Sequence, residues 1–78
     1  MQVTIKLYGS LSQHLPPGSK GRKATVELPE GATVDDLAEA LGLGEVACLF
    51  MRGSEQVHRA QKLEEGDTIS AFPPIAGG

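Results

Sequence analysis

The chain has 78 residues, with 7 Lys and Arg against 10 Asp and Glu and a net charge of −3. That length suits one domain, residues 1–78, burying roughly 60–65% of its unfolded surface. The mildly acidic balance with few aromatics argues against nucleic-acid binding. The single cysteine, Cys48, excludes an intrachain disulfide and a multi-cysteine zinc site. No segment approaches the roughly 20 apolar residues of a membrane span, and Met1-Gln2-Val3-Thr4-Ile5-Lys6 has no apolar run of the signal-peptide kind. The expectation is a cytoplasmic protein with no metal, no bound cofactor, no nucleic acid and no membrane partner.

Val3, Ile5 and Leu7 alternate with Gln2, Thr4, Lys6 and Tyr8, the period-two pattern of a half-buried strand. Gly9 stops it. Gly9–Arg22 reads as a loop, with Pro16-Pro17-Gly18 as its turn signal and Leu11 and Leu15 tucked against the core edge. Ala24, Val26 and Leu28 alternate with Lys23, Thr25 and Glu27, a second strand and a hairpin partner of the first. Pro29-Glu30-Gly31 ends it.

Thr33-Val34-Asp35-Asp36 resembles a capping box with Asp at N3. Asp35 and Asp36 also suit the positive end of a helix dipole. Val34, Leu37, Ala38 and Leu41 make one apolar stripe, and Gly42 is placed to end the helix. Ala47–Met51 reads as a buried strand and Gln56-Val57-His58 as a short edge strand. Leu63 plugs the core before the Glu64-Glu65-Gly66-Asp67 turn, and Thr68–Phe72 is the last strand. One helix on one face of a four- to five-stranded mixed sheet is an α+β arrangement, with the first and last strands as central partners.

The last strand runs into Pro73-Pro74-Ile75-Ala76-Gly77-Gly78. The prolines favour an extended stalk. Gly77 and Gly78 lack Cβ and fit a slot too narrow for other residues. The expectation is that the terminal carboxylate is the reactive group. It is a poor electrophile until another protein activates it.

Val26-Glu27-Leu28-Pro29-Glu30-Gly31-Ala32-Thr33-Val34, Leu63-x-x-Gly66-Asp67-x-Ile69 and Phe72-Pro73-Pro74-Ile75-Ala76-Gly77-Gly78 together resemble the MoaD/ThiS family of ubiquitin-like sulfur carriers. The resemblance runs over essentially the whole chain and is greatest to the molybdopterin synthase small subunit, because the Phe-Pro-Pro tail is uncommon in the thiazole-pathway carrier. It implies a β-grasp fold with a flexible tail over 73–78. It also implies adenylation of Gly78 by a MoeB/ThiF-like adenylyltransferase that uses ATP. Replacement of AMP by sulfur from a donor such as a cysteine desulfurase system would then give a thiocarboxylate. Sulfur transfer would follow in complex with a MoaE-like large subunit, for a molybdenum or tungsten cofactor. The chain would be non-catalytic alone.

Gly78 is thus the expected adenylate and thiocarboxylate site. Gly77, Ala76, Ile75, Pro74, Pro73, Phe72 and Arg52 are the expected partner contacts. Arg52-Gly53 stands where relatives commonly have Asn-Gly. Three alternatives share the sequence: a thiazole or other thiocarboxylate donor, a ubiquitin-like modifier conjugated through Gly78, and a β-grasp interaction domain with an inert tail. Cys48, in its apolar run, reads as a small core residue. His14 and His58 read as surface residues, and Lys20, Arg22 and Lys23 as a solvated loop.

Overall fold

The computed structural model describes residues 1–74. Strands β1 (Gln2–Leu7), β2 (Lys23–Glu27), β3 (Leu49–Arg52), β4 (Glu55–Val57) and β5 (Thr68–Phe72) form one sheet, with helix α1 (Val34–Ala40) between β2 and β3 in the chain. The strand order is β2-β1-β5-β3-β4. β1 and β5 are parallel and central, and every other pairing is antiparallel.

The alternation in β1 decides which face is which. Val3, Ile5 and Leu7 are fully buried and pack with Ile69 and Ala71 of β5, Phe50 of β3 and the α1 stripe Val34, Leu37 and Ala38 in one core. The opposite face presents Thr4, Lys6, Tyr8, Ser70 and Phe72. Among the described residues no buried side-chain nitrogen or oxygen lacks a hydrogen-bond partner.

α1 starts where the sequence expects. The Thr33 hydroxyl accepts from the Asp36 N–H, and the Asp36 carboxylate accepts from the Thr33 N–H at 2.9 Å. The Val34 and Asp35 N–H groups donate to the carbonyls of Gln61 and Arg59. All three N–H groups of the first turn are therefore satisfied inside the chain. Gly42, at φ +77°, donates to the Glu39 carbonyl, and Leu43 donates to the Ala38 carbonyl at 2.8 Å. This is a Schellman termination, and it drives Leu43 fully into the core.

Arg59 ties this half of the domain together. Its guanidinium donates to Asp35 Oδ1 at 2.9 Å and to the carbonyls of Leu43 and Val46 at 3.0 and 2.8 Å, while lying over the Phe50 ring at 5.2 Å. The first turn of α1, the loop after it and β3 thus share one cation.

Two readings of the sequence need correction. Gly9–His14 is a 3₁₀ helix rather than plain loop, and it buries Leu11. Ala47–Met51 is not a buried strand: the strand is Leu49–Arg52, and only Phe50 in it is buried. An antiparallel partner of β5 with one open face must alternate, so the neighbours of Phe50 turn outward. Cys48 packs half-buried at the core edge.

Arg59→Ala is expected to lower stability by about 1–2 kcal/mol. Charge-assisted bonds to two carbonyls are each worth about 1.5–3 kcal/mol when well buried, and partial exposure discounts that. Arg59→Lys should recover less than half, because a point ammonium cannot bridge two carbonyls and a carboxylate at once. Urea denaturation checks this, and an alanine variant as stable as the parent would refute the clamp.

Candidate functional site

β5 is held on both sides, and its C-terminal end delivers the tail. The Tyr8 N–H donates to the Ala71 carbonyl at 3.1 Å, which extends the β1–β5 ladder one residue beyond the strand. Phe72 faces the open side and stacks on Tyr8, centroids 4.6 Å apart and planes 8° from parallel. The Arg22 guanidinium lies 5.6 Å from the Tyr8 ring centroid on the same stack. Across β5, Leu49 pairs with Phe72 and Met51 with Ser70. Leu49, Met51, Phe72 and Pro73 line one apolar hollow at the point of exit, and Leu49 is the exposed large hydrophobic residue of the described part.

Pro73 is seated as well. Gly9 adopts φ +57°, and a Cβ there would lie 3.0 Å from Pro73 Cγ. Gly9 therefore allows both the turn out of β1 and the close approach of the stalk.

Of the expected contact residues, the structure brings Phe72 and Pro73 together, half-buried, with Pro74 exposed beyond them. Ile75, Ala76, Gly77 and Gly78 lie outside the described residues. Arg52 is not at the exit. It sits three residues along β3 from Leu49, about 10 Å away at strand spacing. There its guanidinium pairs with Asp67 Oδ2 at 3.3 Å, the oxygen that also caps the Glu64 N–H at 2.8 Å.

Sequence reasoning missed Tyr8, Leu49, Met51 and Gly9. Tyr8 and Phe72 each stand at the outward phase of an alternating strand, and that was the available signal. Leu49 and Met51 were hidden inside a five-residue apolar run.

The rest of the described chain offers little chemistry. No group of three or more His, Cys, Asp or Glu residues could hold a metal ion. His58 is exposed and His14 half-buried. Burial pushes the Cys48 thiol up, and nearby Arg59 offsets this only in part. The Cys48 Sγ–H donates to the Val46 carbonyl at 3.4 Å. A thiol held protonated is a weak nucleophile.

The family model described as Mut7-C ubiquitin matches residues 1–76. SAMP1 from Haloferax volcanii is 27% identical over 100% of both chains, with a TM-score of 0.76. A second structure, described as the small archaeal modifier protein 1 of H. volcanii, is 26% identical over 95% of this chain and 98% of its own, at TM-score 0.75. A Pyrococcus furiosus protein named as subunit 1 of a molybdopterin converting factor is 25% identical over the same shares, also at 0.75. No curated protein matches. The mixed five-stranded sheet with one main helix is the ubiquitin-like β-grasp fold of these proteins, and the expected fold class and likeness to MoaD-type carriers are borne out.

Gly9→Ala is expected to cost about 1–3 kcal/mol, from a positive φ on a residue with Cβ and the clash with Pro73. Amide chemical shifts of Tyr8 and Phe72 should move with it. A variant of parental stability with unshifted amides would show that the stalk is not seated there.

Cys48 also sets a pH dependence. A folded-state pKa raised above the unfolded value favours folding while the thiol is protonated. That contribution is present below about 8.5, the unfolded value, and is lost as pH rises through the folded pKa. Denaturation at neutral and alkaline pH should show a steeper alkaline loss for the parent than for Cys48→Ser. Equal slopes would contradict the assignment.

Proposed function

Because this chain belongs to the Mut7-C ubiquitin family, we propose that it is a sulfur carrier whose Gly78 carboxylate is activated by a MoeB/ThiF-like adenylyltransferase. In the proposed step a carboxylate oxygen attacks the α-phosphorus of ATP and pyrophosphate leaves. The terminal sulfur of a donor persulfide then attacks the activated carbonyl and AMP leaves, which gives an acyl disulfide. A second thiol attacks the donor's sulfur, forms a disulfide with it and releases the Gly78 thiocarboxylate. The observation that carries the reading is the exit geometry. A tail of Pro, Pro and Gly leaves a doubly paired strand beside an apolar hollow made by Leu49, Met51, Phe72 and Pro73.

Each part has a physical role. The β5 pairings hold the base of the stalk against the pull of a partner. The Tyr8–Phe72 stack and the hollow give that partner apolar area at a fixed distance from the terminus. Gly77 and Gly78 let the carboxylate enter a narrow slot. Positioning of this kind converts an encounter into an effectively intramolecular reaction. The proposed acceptor is a MoaE-like large subunit acting in pterin dithiolene synthesis. The likeness to a protein named as a subunit 1 supports this choice.

A second reading has its own support. The likeness to a small archaeal modifier protein favours conjugation of Gly78 to lysines of target proteins. Both readings share the activation step and differ in the acceptor.

The full chain incubated with an adenylyltransferase of this type, ATP and a sulfur donor should gain about 16 Da at Gly78, one oxygen exchanged for sulfur. Deleting Gly78 should abolish the gain without unfolding the domain. Sulfur gain by the deleted chain, or none by the parent under conditions that convert a known carrier, would sink the proposal. High-mass conjugates joined through Gly78 would instead favour the modifier.

A further inference from the structure

The charges of this acidic chain are segregated in a way the net value hides. Residues 1–26 carry Lys6, Lys20, Arg22 and Lys23, and none of the ten Asp and Glu residues. The fold gathers these four at one place. Lys6 and Lys23 are direct cross-strand partners in the β1–β2 register, on the open face. Lys20 bridges back to Lys23, and Arg22 lies over the Tyr8 ring. None of the four has a carboxylate within ion-pair distance among the described residues, where the ion pairs are Met1–Glu27, Arg52–Asp67 and Arg59–Asp35.

Acids stand at the other end of the same strands. Glu27 pairs in register with Gln2, and Glu65 Oε1 accepts from the Gln2 N–H. The basic end is the end from which the tail leaves, since Lys6 is opposite Ser70 and Leu7 opposite Ala71.

Two further features mark this patch as a seat. Like charges directly opposite on antiparallel strands are destabilising, so an anion bound between Lys6 and Lys23 relieves a standing repulsion. Beside them is an open hollow of about 410 Å³ lined by Thr4, Ser19, Lys20, Lys23 and Thr25 with the Pro16-Pro17-Gly18 turn. Hydroxyls and ammonium groups around a concavity of that size suit carboxylate side chains.

We propose that the β1–β2 hairpin face binds an acidic segment of the adenylyltransferase that activates the tail. The Arg22–Tyr8–Phe72 stack makes it continuous with the apolar exit hollow. This rests on the proposed function for the identity of the partner, while the chemistry of the patch stands by itself. Opposite charge at the exit orients the encounter and raises the rate of association. The surrounding negative charge of the chain rejects the same partner everywhere else.

The test uses the full chain, isotope-labelled, titrated with an octaglutamate peptide and separately with an oligothymidylate of equal length. Octaglutamate should shift the amides of Lys6, Lys20 and Lys23, and its affinity should fall about tenfold between about 0.05 and about 0.3 M salt. Lys6→Gln with Lys23→Gln should weaken it at least about tenfold, with a domain no less stable than the parent. No shifts at the hairpin, shifts elsewhere, or tighter binding of the oligothymidylate would overturn the proposal. In the adenylation assay the same double variant should raise KM for the carrier and leave kcat alone. An unchanged KM with an active parent would also overturn it. A parent that is never adenylated would sink the proposed function only, with the peptide titration still deciding the patch.

Discussion

The parallel pairing of β1 with β5 is the constraint on which the rest depends. Two parallel neighbours cannot be joined by a hairpin, so everything between them must leave the sheet and return. The return path carries α1 across one face and adds β3 and β4 on the far side of β5. β5 ends with a strand on each flank. In a domain this small, the strands with neighbours on both sides are the last to open. The tail therefore springs from the element that resists pulling best, and the extra bond from Tyr8 to Ala71 carries that resistance to the stalk's base.

The same pairing fixes the chemistry of the two faces. The α1 face is filled by Val3, Ile5, Leu7, Leu37, Leu43 and Ile69, and Arg59 closes the far side by gathering Asp35, Leu43, Val46 and Phe50. The outward phases of β1, β3 and β5 lie on the face away from α1. Tyr8, Leu49, Met51 and Phe72 therefore share one surface with Lys6 and Lys23. Apolar contact and charge meet at the tail because both belong to the outward phase at the same end of the same strands.

Much of this was legible in the sequence. The alternation of Val3, Ile5 and Leu7, the Thr33–Asp36 box and the Gly42 stop each rest on local rules that tertiary contacts here reinforce. The Phe72-Pro73-Pro74 exit was also legible as a place, but its partners were not. Nothing local joins Tyr8 to Phe72 or Gly9 to Pro73, since each pair forms only once β1 and β5 are neighbours. The outward turn of Leu49 and Met51 was masked because a continuous apolar run carries no phase of its own. Its phase is set by register with Ala71 and Phe72. Arg59 carries no signal in the sequence, because the two carbonyls it binds, those of Leu43 and Val46, come from the loop after α1. Lys6 and Lys23 are far apart in the chain, so their juxtaposition also waits for the hairpin.

Among the described residues the buried polar side chains are satisfied, the first-turn N–H groups of α1 are taken by Gln61, Arg59 and Thr33, and no cluster suits a metal ion. Burial favours the neutral form of the Cys48 thiol. The domain has a rigid base for the stalk, an apolar hollow beside it and uncompensated cations around it. Those are devices for binding and orientation. All three lie at the end of the sheet where β5 passes into Pro73, so the described part of the tail leaves from a paired strand between an apolar surface and a charged one.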